Sequence, residues 1–209
     1  MKHLFFDMDG TLTESRQEIT DEMLQAIQEL KEYPLVISGA QSSQMYKQLR
    51  GAKVVSLSQN GNKTPLWQNI LSDTQKSAIL SWIGDVPQDM IEDRGCQISL
   101  SMTGHNAPLA DKKAYDPDGS KRTQILAEKP FNVEGVQVKV AGTTCFDFFV
   151  KTKGENISSL LSCFGWDPKD CLYVGDALYP GGNDDSMIGV METRQVSGPK
   201  ETLEIIKSI

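Results

Sequence analysis

Short apolar runs alternating with helix-length amphipathic stretches do most to limit what this chain can fold into. Leu4-Phe5-Phe6, Leu35-Val36-Ile37 and Val54-Val55-Ser56-Leu57 each read as a buried strand. Thr20 is placed to cap a helix between the first two, with Asp21 and Glu22 in its opening turn and Met23, Ile27 and Leu30 at i, i+4 and i+7. Pro34 closes that segment, and a second helix, about Ser42 to Arg50, precedes the third strand. Strand, helix, strand, helix in this rhythm predicts an α/β fold with a doubly wound parallel sheet. The rhythm returns after Lys153. Ile157, Leu160, Leu161 and Phe164 make a helical core stripe, Leu172-Tyr173-Val174 a strand, and two helices are expected to follow, from near Asp184 and over about Lys200 to Ile206.

The middle of the chain has a different period. A helix carrying Ile79, Leu80 and Ile83 gives way to Cys96–Met102, where Cys96, Ile98, Leu100 and Met102 alternate with Gln97, Ser99 and Ser101. Period two predicts a half-exposed strand. A polar, glycine-containing stretch runs from Thr103 to Gly119, followed by a helix to Lys129 and strands over Val136–Val140 and Phe146–Val150. Together these suggest an inserted α+β domain with an antiparallel sheet, expected to cover one face of the first domain. Residues 1–74 with 151–209 would form the core and 75–150 the insertion.

With 209 residues the chain can bury a substantial core. A net charge of −7 argues against general affinity for nucleic acid or anionic membrane, and no apolar stretch approaches the length of a membrane span. Met1-Lys2-His3 leads directly into an apolar run too short for a secretory leader. Cys96, Cys145, Cys163 and Cys171 are scattered with no CxxC pair, so free thiols in a reducing cytoplasm are expected.

Asp7-Met8-Asp9-Gly10 follows the first strand directly. Two carboxylates at i, i+2 there, with a glycine that lets the backbone turn, stand where open α/β sheets bind ligands. Ser38, Lys153 and Asp176 fall at strand ends or at a helix start, so a doubly wound fold could converge them on Asp7 and Asp9. The run Phe6-Asp7-Met8-Asp9-Gly10-Thr11 resembles the Asp-x-Asp-Gly-Thr signature of the haloacid-dehalogenase (HAD) phosphotransferases, and Ser38, Lys153 and Asp176 resemble the later motifs in order. That resemblance implies a Rossmann-like core in which Asp7 is the nucleophile and Asp9 the general acid/base. It also implies that Ser38 binds phosphate, Lys153 pairs with Asp7 and phosphate, and Mg²⁺ is held by Asp7, Asp9 (through its carbonyl) and Asp176, with Asn183 and Asp184 behind them. The chemistry suits these types. A carboxylate can take a phosphoryl group as an aspartyl-phosphate, and a hard cation with fixed donors can neutralise the developing charge.

Placement of the insertion between Ser38 and Lys153, with Lys153-Gly154, resembles the HAD proteins with a C2-type cap, the Cof-like group of sugar phosphatases. Pro180-Gly181-Gly182-Asn183-Asp184 and Ser58-Gln59-Asn60-Gly61 are similar to the phosphomannomutase branch. Cap arginines that grip a distal phosphate in that branch fall on Arg94, His105 and Lys112, and Cys145-Phe146-Asp147 matches its Ser-Phe-Asp, so the resemblance makes these three positions, with Asp147, the candidate substrate-binding residues. A neutral His lacks Arg's bidentate fork and Lys offers a point charge. The expectation is therefore a magnesium-dependent phosphohydrolase of a small phosphorylated metabolite, a sugar phosphate above others. The alternatives are a phosphomannomutase-type sugar phosphate mutase and a catalytically idle HAD binding domain.

Overall fold

The computed structural model describes residues 2–209. In chain order the elements are β1 (His3–Asp7), α1 (Asp21–Glu29), β2 (Leu35–Ile37), α2 (Ser42–Gln48), β3 (Val55–Leu57), α3 (Asp73–Ile83), β4 (Ile91–Asp93) and β5 (Gln97–Ser101). They continue with α4 (Leu109–Tyr115), α5 (Ser120–Glu128), β6 (Gln137–Ala141), β7 (Cys145–Phe149), α6 (Lys153–Phe164), β8 (Cys171–Gly175), β9 (Glu192–Gln195) and α7 (Pro199–Lys207). The chain divides into two compact units, Met1–Trp67 with Thr152–Ile209, and Gln68–Lys151.

The first unit is built on a five-stranded parallel sheet in the order β3-β2-β1-β8-β9. Consecutive side chains of β1 point to opposite faces and feed two cores. Leu4 and Phe6 pack with Met23, Ile27, Met45 and Ile205 from the helices of one face, and Phe5 packs with Ile157, Leu160, Leu161 and Met187 on the other. Both faces are therefore covered, as a parallel sheet requires. The order reverses at β1, whose neighbours are β2 and β8, and that is where such a sheet opens a crevice at its carboxyl edge. Thr20 caps α1 as its sequence predicts, its Oγ1 accepting from Met23 N at 3.2 Å.

Two expectations for this unit change. No helix begins at Asp184; a single 3₁₀ turn, Asp185–Met187, leads instead to β9. Glu192-Thr193-Arg194-Gln195 sits at the sheet edge, largely exposed, so it carries no apolar signal to mark a strand. Phe164 lies half outside the core, stacked on Trp166 at 4.9 Å.

The second unit has a four-stranded antiparallel sheet in the order β4-β5-β7-β6. One face is apolar: Ile98, Leu100, Phe146 and Phe148 pack with Leu71 and Ile79, and Trp82 meets the rings of Phe131, Phe146 and Phe148 edge-on. Leu71 belongs to this cluster and its N–H donates to the Gly95 carbonyl, which carries the unit back to Gln68, ahead of the expected boundary at 74/75. The half-exposed strand expected at Cys96–Met102 is buried throughout β5. Its polar side is closed by paired groups: Ser99 Oγ donates to Asp147 at 2.7 Å, and the Ser101 and Thr144 hydroxyls lie 3.1 Å apart. The polar stretch from Thr103 holds the short helix α4. Behind it, a buried Arg122–Asp116 ion pair at 2.7 Å ties α5 to the Ala141, Gly142 and Cys145 carbonyls.

Candidate active site

Asp7 ends β1 and is almost wholly buried. The loop behind it curls tightly, with Leu12 and Thr13 N–H groups both donating to the Met8 carbonyl at 3.0 Å. Gly10, at φ +83°, occupies backbone space no side chain would tolerate, since a Cβ there would lie 2.3 Å from Asp176 Oδ2. The carboxylate that follows β8 thus rests directly on the loop that follows β1.

Lys153 opens α6, where Thr152 and Glu155 form a reciprocal cap. A cation at that end is disfavoured by the helix dipole, and two carboxylates compensate. Lys153 Nζ lies 2.6 Å from Asp7 Oδ1 and 2.6 Å from Asp184 Oδ1, with all three side chains buried. Although burial alone would lower it, the Lys153 pKa is pushed up by Asp184 and Asp7, so the ammonium stays charged. Burial drives the Asp7 carboxyl well above the usual carboxylate range; Lys153 opposes this, and Asp184 and Asp176 add to it. Asp176 rises to about 6, first through burial and then through Asp184. One ammonium faces three carboxylates, a shortage of positive charge.

Asp7, Asp176 and Asp184 can each offer an oxygen such that the three lie within 4.8 Å of one another. Asp7 Oδ2 is buried with no hydrogen-bond partner, an expensive arrangement unless a ligand takes it up. Three carboxylates so placed make an all-oxygen donor set, which fits a hard divalent cation. Asp184, expected only behind the metal ligands, stands in the cluster itself.

The other expected residues are placed as follows. Asp9 lies in the same loop, its Oδ1 accepting from Arg16 N at 2.7 Å and from Gln48 Nε2 at 3.1 Å; its side chain is outside the three-carboxylate group. Ser38 follows β2, whose Ile37 is in register with Asp7; its Oγ accepts from Ala40 N at 3.1 Å and its carbonyl from Asn60 N. Asn183 is half-buried in the loop before Asp184. Within the inserted unit, Arg94 donates through Nε and Nη2 to Glu92 Oε2 at 2.9 and 2.5 Å, and His105 Nε2 lies 3.2 Å from the Ser99 carbonyl. Lys112 Nζ donates to the His105 carbonyl at 2.6 Å. Asp147 is buried, which raises its pKa against the pull of Arg94, Ser99 and His105.

Tyr173 was invisible as a site residue because it sits inside an apolar strand run. Its hydroxyl donates to Asp184 Oδ1 at 2.7 Å, and burial beside Asp184 and Asp7 raises its pKa well above the usual phenol value, so it remains a donor. A phenol two residues ahead of Gly175-Asp176 was the available signal.

Residues 1–181 match the family of haloacid dehalogenase-like hydrolases. This chain belongs to that family. It is a phosphatase or phosphotransferase of the haloacid dehalogenase type. Among curated relatives, the phosphomannomutase of Triticum aestivum is 28% identical over 98% of this chain and 93% of its own length, and that of Schizosaccharomyces pombe is 24% identical over 99% and 93%. Among solved structures, the IMP-nucleotidase of Plasmodium falciparum superposes with a TM-score of 0.70 at 17% identity, covering all of this chain and 68% of that one. A haloacid dehalogenase-like hydrolase from Bacteroides thetaiotaomicron gives 0.62 at 16% identity, covering 99% and 98%. These likenesses establish the fold: a doubly wound haloacid dehalogenase core with an added antiparallel sheet of the cap kind. No helix among the described residues is long and apolar enough to cross a membrane.

Proposed function

We propose that this protein hydrolyses the phosphomonoester of a small metabolite, a sugar phosphate above others, through an aspartyl-phosphate on Asp7. The observation that carries the reading is the split of the Asp7 carboxylate. Oδ1 is held by Lys153, while Oδ2 is buried at the carboxyl edge of the sheet with no partner, free to attack phosphorus. As the Asp7 Oδ2–P bond forms, the ester P–O bond breaks, and Asp9 passes a proton to the departing alkoxide. Asp9 then takes a proton from a water whose oxygen attacks the same phosphorus. The bond to Asp7 breaks, inorganic phosphate leaves and the carboxylate is restored. Lys153 and Ser38 would hold the equatorial oxygens through both transfers. Magnesium held by Asp7, Asp176 and the Asp9 carbonyl, with Asp184 adjoining, would neutralise charge shared by nucleophile and phosphate.

Hydrolysis is preferred to mutase chemistry because of how the cap positions are occupied. Lys112 is buried and spends its ammonium on a main-chain carbonyl, and His105 engages the Ser99 carbonyl. Neither is held out as a bidentate phosphate grip. The phosphomannomutase relatives favour the second reading, a sugar phosphate mutase. Purified protein given EDTA or Mg²⁺ should release phosphate from p-nitrophenyl phosphate and from some hexose phosphates only with Mg²⁺. No release from any of a broad phosphoester panel would defeat the reading.

A further inference from the structure

Tyr173 brings a polar tip into the acidic cluster from inside the core. Its ring is fully buried among Phe5, Ile157, Leu160, Leu161 and Met187, an environment phenylalanine would fill equally well. What phenylalanine lacks is the hydroxyl, and a hydroxyl buried this deeply is costly unless it is bonded. It is bonded, at 2.7 Å, to Asp184 Oδ1. The fold makes room for that contact. Tyr173 and Gly175 share a face of β8, and a Cβ on Gly175 would lie 2.4 Å from Asp184 Oδ2 and 2.8 Å from the Tyr173 ring. Only a bare backbone at 175 lets ring and carboxylate meet.

Asp184 Oδ1 therefore has two donors, the Tyr173 hydroxyl and Lys153 Nζ, and the same Nζ reaches Asp7 Oδ1 at equal distance, 2.6 Å. Asp184 Oδ2 faces the Ala177 N–H at 3.4 Å. These contacts form one buried series, Tyr173–Asp184–Lys153–Asp7. We propose that Tyr173 is a positioning residue for phosphoryl transfer: by bonding Asp184 Oδ1 it fixes the rotation of that carboxylate and keeps Lys153 shared with Asp7. Without the hydroxyl, Lys153 is the only side-chain donor on that oxygen among the described residues. Asp184 then draws the ammonium toward itself, and its other oxygen is free to turn away from Asp7 and Asp176. This inference rests on the reading of Asp7 as the group that takes the phosphoryl.

Tyr173→Phe removes one oxygen and leaves the packing, and Leu161→Val, in the same apolar cluster, loosens packing without touching the series. With p-nitrophenyl phosphate and Mg²⁺, Tyr173→Phe should lower kcat about tenfold while KM stays within about twofold, the size expected for losing a hydrogen bond to a charged group. The Mg²⁺ concentration that half-saturates the rise in melting temperature should increase several-fold, with Leu161→Val unchanged in both respects. Tyr173→Met, which also lacks the hydroxyl and adapts to its surroundings, stands in should the Phe variant not fold. Wild-type kcat and Mg²⁺ midpoint in the hydroxyl-free variant, or losses no larger than those of Leu161→Val, would overturn the proposal. If the wild-type protein cleaves no phosphoester, the proposed function falls. The Mg²⁺ midpoint from melting then decides the role of Tyr173 by itself, an unchanged midpoint overturning it.

Discussion

Asp7 and Asp9 are two residues apart, yet their surroundings give them different chemistry. Asp7 is sealed in with one oxygen on Lys153 and one without a partner, whereas Asp9 accepts from Arg16 N and Gln48 near the surface. Asp7→Asn should abolish turnover, because an amide neither attacks phosphorus nor carries the charge a cation needs. Asp9→Asn should leave a slow phosphorylation of Asp7 from a good leaving group, with turnover reduced ~10²–10⁴-fold. Mass spectrometry for the phosphorylated protein, beside steady-state rates, separates the two; undiminished turnover in Asp7→Asn would sink the assignment. Asp176 supplies a pH test. Its folded pKa, about 6, lies above its ordinary value of 3.8, so protonation favours the fold. The stability it contributes is complete below about pH 4 and is lost as pH rises through 6, where the ionised group stands beside Asp184. A bound cation relieves that repulsion and competes with the proton. Mg²⁺ midpoints from melting curves should hence weaken up to about tenfold per unit below pH 6 and level off above it. A flat profile between pH 5 and 7 would show that Asp176 does not face the cation.

At the scale of elements, α6 does most to place the chemistry, since its first residue is the lysine that bridges two carboxylates. The Thr152–Glu155 cap holds that first turn through Glu155 N to Thr152 Oγ1 at 3.2 Å and Thr152 N to Glu155 Oε2 at 2.8 Å. Thr152→Ala should cost about 1 kcal/mol in denaturant unfolding, and should lower kcat several-fold with KM little changed as Lys153 loses its anchor. Thr152→Ser should restore both, and failure to do so would uncouple the cap from the lysine. The Thr20 cap was legible in the sequence, as were β1, β2, β8 and the helices between them, because each combines an apolar run or stripe with a cap, a proline or a glycine; the Thr152–Glu155 box emerged only in the structure. What escaped notice had no such mark. β9 is a polar edge strand supported only by its neighbour. The polar side of β5 is indistinguishable from a solvated one until Asp147, from a strand 48 residues away along the chain, closes on Ser99. Asp184 read as an ordinary helix start because acidic residues favour that position. Its partners, Lys153 and Tyr173, come from elsewhere in the sequence, and only folding shows them converging.

At the scale of the molecule, the residues expected to move the phosphoryl group lie in one unit and those expected to choose the substrate lie in the other. A chain of net charge −7 must gather local positive charge to hold a phosphate ester. On the proposed function Lys153 would supply it in the core unit, and Arg94 and Lys112 are the candidates in the inserted unit. Those two are committed, Arg94 to Glu92 and Lys112 to the His105 carbonyl, so a second phosphate would have to displace existing bonds to be gripped. A mutase must retain a doubly phosphorylated sugar while it turns over, which demands such a grip in addition to the charge at Asp7. With one phosphate held firmly and the other weakly, the bisphosphate should dissociate, or water should reach the Asp7 phosphoryl, before the sugar reorients. Incubated with mannose 1-phosphate, Mg²⁺ and catalytic glucose 1,6-bisphosphate, the protein should therefore release inorganic phosphate faster than it forms mannose 6-phosphate. The reverse order would establish isomerisation and align this chain with the phosphomannomutases it resembles. His105→Arg tests the same argument from the other side: restoring a forked cation should raise the ratio of isomerised sugar to phosphate, and an unchanged ratio would remove position 105 from the choice between the two reactions.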